Sequence, residues 1–236
     1  MTRLEKSEDL KRDIRKDPVS EIGISTWTMA KEALRSGDVK QAEKLMDHCF
    51  SGMKEVHDMI VLTTGEWLEY IVEHLGEDHV EKLWGKMVPN LRPIIKALSS
   101  IEPIERVYAF AETFRSHCGG PSGLGELAVH EEVDRFVITH SPCGSGGRLR
   151  QMGRFGVTKK SYQWSWNKKG VPHYCTHCCL FWELTGTEVC GYPLRIHENV
   201  DKPLDPCVQY IYKEPSLIPD RYFERIGMNK DNTKFR

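Results

Sequence analysis

The hydrophobic period of this chain changes once, at the glycine-rich stretch CGGPSGLGE, residues 118–126. Before it, apolar residues recur three and four apart, the spacing of one helix face; after it, short β-branched runs dominate. Helices first and strands later exclude an alternating, doubly wound sheet. The expectation is an α+β protein: an N-terminal helical bundle, then a small antiparallel sheet with a cysteine-rich helix. The glycine-rich stretch reads as a loop between two domains, a helical bundle over 1–118 and an α+β, cysteine-rich metal-binding domain over 125–236.

In the first half, Ile22, Ile24, Trp27, Ala30 and Leu34 predict a helix over 20–36, and SGD at 36–38 ends it and caps the next. That next helix runs from 38 to about 75, where Gly76 stops it. A third covers 78–98, bent at Pro89 and Pro93 because each proline removes a backbone donor. Pro103 starts a last helix that ends near Cys118. In the second half, LAVHEEVDRFVITHSPC predicts two short strands around residue 132, or one long bent one. The segments 192–200 and 207–213 form a hairpin across DKPLDP, a helix begins near Tyr174, and a short helix over 219–226 closes the chain.

Cysteine follows the same division. Cys49 is the one cysteine before residue 118, and seven come from there on. In VPHYCTHCCLFW, residues 171–182, Cys175, Cys178 and Cys179 stand at i, i+3 and i+4, along one face of a helix, with His173 and His177 on the adjacent face. Zinc takes four tetrahedral ligands of sulfur or nitrogen type, and C-x-x-C supplies two. The others must come from elsewhere: Cys143 in the glycine corner HSPCGSGG, and Cys207 at the mouth of a strand. The expected ligands of one zinc are therefore Cys143, Cys175 and Cys178, with Cys207 or His177 completing the set. Two other readings stand beside it: buried thiols packing as small hydrophobes, and a redox pair of Cys175 and Cys178 at a helix N-terminus after Pro172. Cys49, Cys118 and Cys190 read as structural.

From 135 to 182 there is no Asp or Glu, while Arg135, Arg148, Arg150, Arg154 and four lysines alternate with aromatic residues. Such a segment can stack on single-stranded nucleic acid or line a pocket for a small anion. A net charge of -1 leaves no global field toward nucleic acid or membrane, and so favours the pocket. Arg148, after the double glycine and five residues past Cys143, is the expected anion clamp, with Trp164 and Trp166 as substrate-binding aromatics. CGSGGR lacks the lysine and hydroxyl of a P-loop, so no nucleotide cofactor is expected. The candidate proton carriers are His57, His197 and Glu198. The first reading of His57 is a hydrogen-bonded core histidine, and that of the row Glu66, Glu69, Glu73 a solvated helix face. Strand alternation turns His197 and Glu198 to opposite faces, so only one of them should border a given pocket.

A strand ending in Cys143, a cysteine-bearing helix, then DPC at 205–207 followed by VQYIYK resembles the L-2-amino-thiazoline-4-carboxylic acid hydrolase-like domain over residues 125–215. The segment GSGGRLR and the basic insert depart from it. The resemblance implies a small cytoplasmic hydrolase that acts on a C–N or ring bond. With the thiols, it gives the expected function: a zinc-dependent hydrolase of a small anionic, aromatic or heterocyclic substrate. The alternative is a zinc-stabilised binding or redox-sensing protein without catalysis. The charged start has no apolar run of signal-peptide type and no stretch is long enough to span a bilayer, so the expected home is the reducing cytoplasm. Nucleic acid and membrane are not expected partners, and assembly as a homo-oligomer is left open.

Overall fold

The computed structural model describes residues 4–117, 127–202 and 204–235. Cys118 and the glycine-rich stretch lie outside them. The protein is α+β, a helical N-terminal region followed by small antiparallel sheets. It divides into two compact units within one long helix: residues up to His57 belong to the first, those from Asp58 to the second.

The first unit opens with a feature that the sequence reading left out, the antiparallel strands β1 (Leu4–Ser7) and β2 (Arg12–Arg15), with Leu4 opposite Arg15. Their residues are mostly charged, so no alternating pattern announces them. Helix α1 (Thr26–Arg35) starts later than expected, because Ser25 caps it by accepting the Thr28 backbone N–H at 3.1 Å. Helix α2 (Val39–Leu75) brings Leu45 against Met29 and Ala30 of α1 to form a small core.

In the second unit α2 ends at Gly76, whose φ of +95° a side chain would strain. The expected bent helix over 78–98 is instead two helices, α3 (Asp78–Gly85) and α4 (Val88–Ser99). The break precedes both prolines. Pro89 sits in the first turn of α4, where its missing N–H has no partner to lose, and Pro93 is carried inside α4. Helix α5 (Pro103–His117) follows.

The sheet has the order β3 (Leu127–Glu131), β4 (Arg135–His140), β6 (Cys207–Tyr212), β5 (Ile196–Glu198), antiparallel throughout. The expected strand over 192–200 is shorter than its apolar pattern, for only Ile196 to Glu198 pair with β6. Ile95, Phe110 and Phe114 of the helices share a core with Phe136, Ile138, Ile196 and Ile211 of the sheet. Between β4 and β5 run helix α6 (Gly146–Gln151) and a helical stretch that changes pitch three times. It begins with a 3-10 turn (His173–Cys175) and one α turn, α7 (Thr176–Cys178). A π-helical turn (Cys179–Leu184) and α8 (Thr185–Cys190) complete it. The closing helix is α9 (Arg221–Glu224). Among the described residues no helix is long and apolar enough to cross a membrane.

Candidate active site

The second unit contains a cavity of about 630 Å³ whose walls come from α5, the ends of β4, β5 and β6, α6 and the cysteine-bearing helical stretch. The sheet register builds one wall. His140 lies opposite Cys207, and His197 opposite Gln209, with Cys207 and Gln209 two residues apart on one face of β6. All four line the cavity. The corner after β4 adds Cys143 and Arg150, and the helical stretch adds Cys175, His177 and Cys178. Glycine is needed at this corner for contact with the protein itself. A Cβ on Gly144 would stand 2.0 Å from the His117 carbonyl oxygen, and one on Gly146 2.7 Å from Cys175 Sγ.

The four thiols expected to bind metal thus share one cavity with His177, although among the described residues no group of three or more Cys, His, Asp or Glu is gathered to hold an ion. The described cysteines are all free thiols. Their protonation differs sharply. Burial pushes Cys175 up, against the pull of Arg150, and burial with the neighbouring thiols takes Cys207 to about 12. Burial also opposes ionisation of Cys178, but His177 and His197 outweigh it and hold that thiol well below its ordinary value. His177 Nε2 stands 3.5 Å from Cys178 Sγ, and its Nδ1 2.5 Å from the Tyr174 carbonyl. Burial depresses His177, and the Cys178 charge more than offsets this, so its pKa is raised.

The residue that sequence reasoning missed is Glu183. It is fully buried in the π-helical turn, and its carboxylate faces His197 and Arg225 together. Arg225 Nη2 donates to Glu183 Oε2 at 2.7 Å and to the His197 carbonyl at 2.8 Å. Burial resists ionisation of Glu183, but Arg225 and His197 prevail and its pKa is lowered. With Nδ1 3.2 Å from Glu183 Oε1, His197 has its other nitrogen, Nε2, buried and without a hydrogen-bond partner among the described residues. The only trace of Glu183 in the sequence is its position: it is the first acid after the acid-free segment, set in the apolar run CLFWEL.

Both His197 and Glu198 border the cavity, against the alternation rule, because β5 ends at Glu198 and the backbone turns there. Glu198 is engaged, accepting from the Tyr222 hydroxyl at 2.5 Å. His57 is half-buried in α2, in the other unit. Arg148 is not on the cavity wall: its Nη2 donates to Asp58 Oδ2 at 2.9 Å, and Arg150, two residues on, takes the inward place. Trp166 lines the cavity, whereas Trp164 packs in a neighbouring core and stacks on Tyr162 at 4.4 Å. His140, unforeseen, is buried against Phe114 and kept neutral: burial, with Arg195 and His197 nearby, takes its pKa to about 3.

Buried polar atoms without partners are few in native proteins. Among the described residues twelve carry such an atom, and six of them line this one cavity: His140, Arg150, Trp166, Arg195, His197 and Gln209. A mostly apolar cavity with convergent polar groups and perturbed titrations is the usual form of a small-molecule site. Compared with protein-family models, curated proteins and solved structures, the chain matches none.

Proposed function

We propose that this cavity is the active site of a thiol-dependent hydrolase acting on a small molecule, with Cys178 as nucleophile, His197 as general base and Glu183 as the residue that positions His197. The observation that carries this reading is His197 itself, with Nδ1 against a buried carboxylate and Nε2 unpaired in the cavity wall that Cys178 shares. A thiol activated by a base that a third group orients is the general form of cysteine catalysis. With its proton passed to His197 Nε2, the Cys178 thiolate bonds to a carbonyl carbon as the C=O π electrons move to oxygen, and they return when the leaving group departs. That proton then goes to the departing nitrogen, and the C–N bond breaks with its electron pair on nitrogen. Water, deprotonated by His197, next cleaves the thioester and restores the thiol. The choice of a C–N bond follows the resemblance to the amino-thiazoline carboxylate hydrolase-like domain. Free thiols suit a reducing compartment, and we place the protein in the cytoplasm.

Zinc-dependent hydrolysis is the second reading, favoured by Cys143, Cys175, Cys178 and Cys207 on one cavity. Zinc held by Cys143, Cys175 and Cys178 with its fourth position open would polarise a substrate carbonyl or activate water, whereas Cys207 or His177 in that position would make the metal structural. One experiment separates the readings: release of 4-nitrophenol from 4-nitrophenyl acetate, with and without chelator, beside elemental analysis of the purified protein. The thiol reading expects a burst of one equivalent that survives the chelator and is lost in Cys178→Ser and His197→Gln. About one zinc per chain with chelator-sensitive release would establish the zinc reading instead. No release under any condition, from folded protein, would leave the non-catalytic alternative.

A further inference from the structure

We propose that the cavity holds the aliphatic acyl chain of a neutral substrate, an amide or ester, along the wall built by α4 and α5. The inference rests on the cavity being the hydrolase site proposed above and names its substrate class, but chain binding draws on none of the groups assigned to bond-making.

The cavity wall is divided by chemistry. Its thiols, His197 and Gln209 come from the sheet ends, the corner after β4 and the cysteine-bearing helical stretch. Helix α4 and the residue before it contribute Met87, Ile94 and Leu98, seven and four residues apart, so they form one apolar stripe. Helix α5 adds Ala109, Phe110 and Phe114, with Thr113 and His117 as the polar side chains of that wall. Phe110 and Phe114 are 3% and 7% exposed, whereas Met87 and Ile94 are 48% and 49% exposed. The apolar surface therefore runs from buried rings to an open rim, where half-exposed hydrophobic side chains await cover.

The surroundings make the occupant aliphatic and neutral. The guanidinium of Arg195 lies 4.5, 4.9 and 4.6 Å from the ring centroids of Phe110, Phe114 and Trp182, and so covers a face of each. Phe110 also stacks on Phe114 at 6.1 Å, and His140 meets Phe114 at 4.3 Å with the planes 89° apart. These rings offer the cavity edges rather than faces, so a flat aromatic ligand finds none of them to stack on. A flexible chain needs no ring face and packs against Met87, Ile94 and Leu98, of which methionine adapts its shape most readily. Arg195 interacts with the thiols, Cys178 first, so its charge calls for no anionic ligand. A saturated chain ending in a neutral carbonyl meets both conditions, and a cavity of about 630 Å³ has room for it.

The test titrates the full chain with butanamide, pentanamide and hexanamide, and with benzamide beside them, by calorimetry. Affinity should rise about fourfold with each added methylene, the worth of one buried CH2, and hexanamide should bind more tightly than benzamide. The kcat/KM values for the 4-nitrophenyl esters of the same three acids should climb in the same order. Ile94→Glu sets a charge on the rim and should cut the hexanamide-to-butanamide affinity ratio at least about fourfold. Where that variant fails to fold, Met87→Glu reads out the same loss. No saturable hexanamide binding, a flat or falling amide series, or benzamide binding as tightly as hexanamide overturns the inference. So does an affinity ratio left unchanged by both folded variants. Cys178→Ser separates the chain site from the proposed chemistry: it should keep the rising amide series and lose turnover. A rising amide series in a parent that turns over none of the esters would sink the hydrolase reading and leave the chain site standing.

Discussion

Glu183 meets His197 twice: its Oε1 accepts the His197 backbone N–H at 2.8 Å and stands 3.2 Å from the ring Nδ1. One carboxylate thus fixes both the strand and the side chain that β5 presents, while its other oxygen accepts from Arg225 at 2.7 Å. The pair ties the helical stretch, the sheet edge and the loop after α9 into one piece.

Glu183→Gln removes the charge that Arg225 answers inside this unit. Breaking one partner of a buried pair costs about 3–5 kcal/mol. The urea midpoint should fall accordingly, and 4-nitrophenyl acetate turnover should fall with it. An unchanged midpoint would show that Arg225 finds another partner.

Cys178 should be the most reactive thiol in mildly acidic solution. Its pKa is lowered, so the thiolate is present at a pH where Cys207, raised to about 12, is protonated. Peptide mapping after brief iodoacetamide treatment at about pH 6 should find label on Cys178 and little on Cys175 or Cys207. His197→Gln should slow that labelling. Equal labelling of the three would remove the basis for a special role.

Acid stability is governed by two carboxylates, Glu69 and Glu77. His173 lies between two carboxylates, Nδ1 3.0 Å from Glu69 Oε1 and Nε2 3.3 Å from Glu77 Oε1. Glu77 also accepts the Lys159 N–H at 2.7 Å and the Tyr162 hydroxyl at 2.9 Å. Burial opposes ionisation of both acids, yet these contacts prevail and both pKa values lie below 4.5. Their stabilisation is complete above the unfolded carboxylate pKa and is lost as pH falls through the lower folded values. Tm should therefore drop below about pH 4.5, and less steeply in Glu77→Gln, which starts lower at neutral pH. A parallel pH profile for the two proteins would contradict this.

These positions show what the sequence can and cannot disclose. The thiols at 143, 175, 178 and 207 were legible because such a cluster of cysteines is rare enough to stand out, and they do share one cavity. The strand pattern around residue 132 was legible because β4 is a central strand rich in buried β-branched residues. Glu183 and Arg195 were not, since a single charge in an apolar run looks like a helix or strand edge until the fold buries it. The basic segment pointed to an arginine on the cavity wall but not to which one. Arg148 and Arg150 differ only in which side of the short helix α6 they occupy, and that is set by packing against α2.

Arg148→Ala should accordingly leave the cavity alone. It removes a partly buried pair with Asp58, worth about 1 kcal/mol, and 4-nitrophenyl acetate turnover should stay within about twofold of the parent. A loss of turnover of about tenfold, the worth of one charge-assisted contact, would return Arg148 to the site.

The π-helical turn has a consequence for descent and alignment. Cys178 and Glu183 are five residues apart, about 140° around a regular α-helix, whereas the wider π turn draws such positions toward one side. Thr185 supports the widened turn by donating its hydroxyl to the Leu180 carbonyl, five residues back, at 2.7 Å. A one-residue deletion between Cys179 and Leu184 would restore a uniform helix with almost no change in hydrophobicity or length. It would also leave the carboxylate four residues from the thiol, about 40° around a regular helix and so still on the thiol's side. Descendants of an ancestral chain on either side of that deletion would keep thiol and carboxylate on one side at spacings of five and four residues, so an alignment that fixes the spacing would match the carboxylate to the wrong residue.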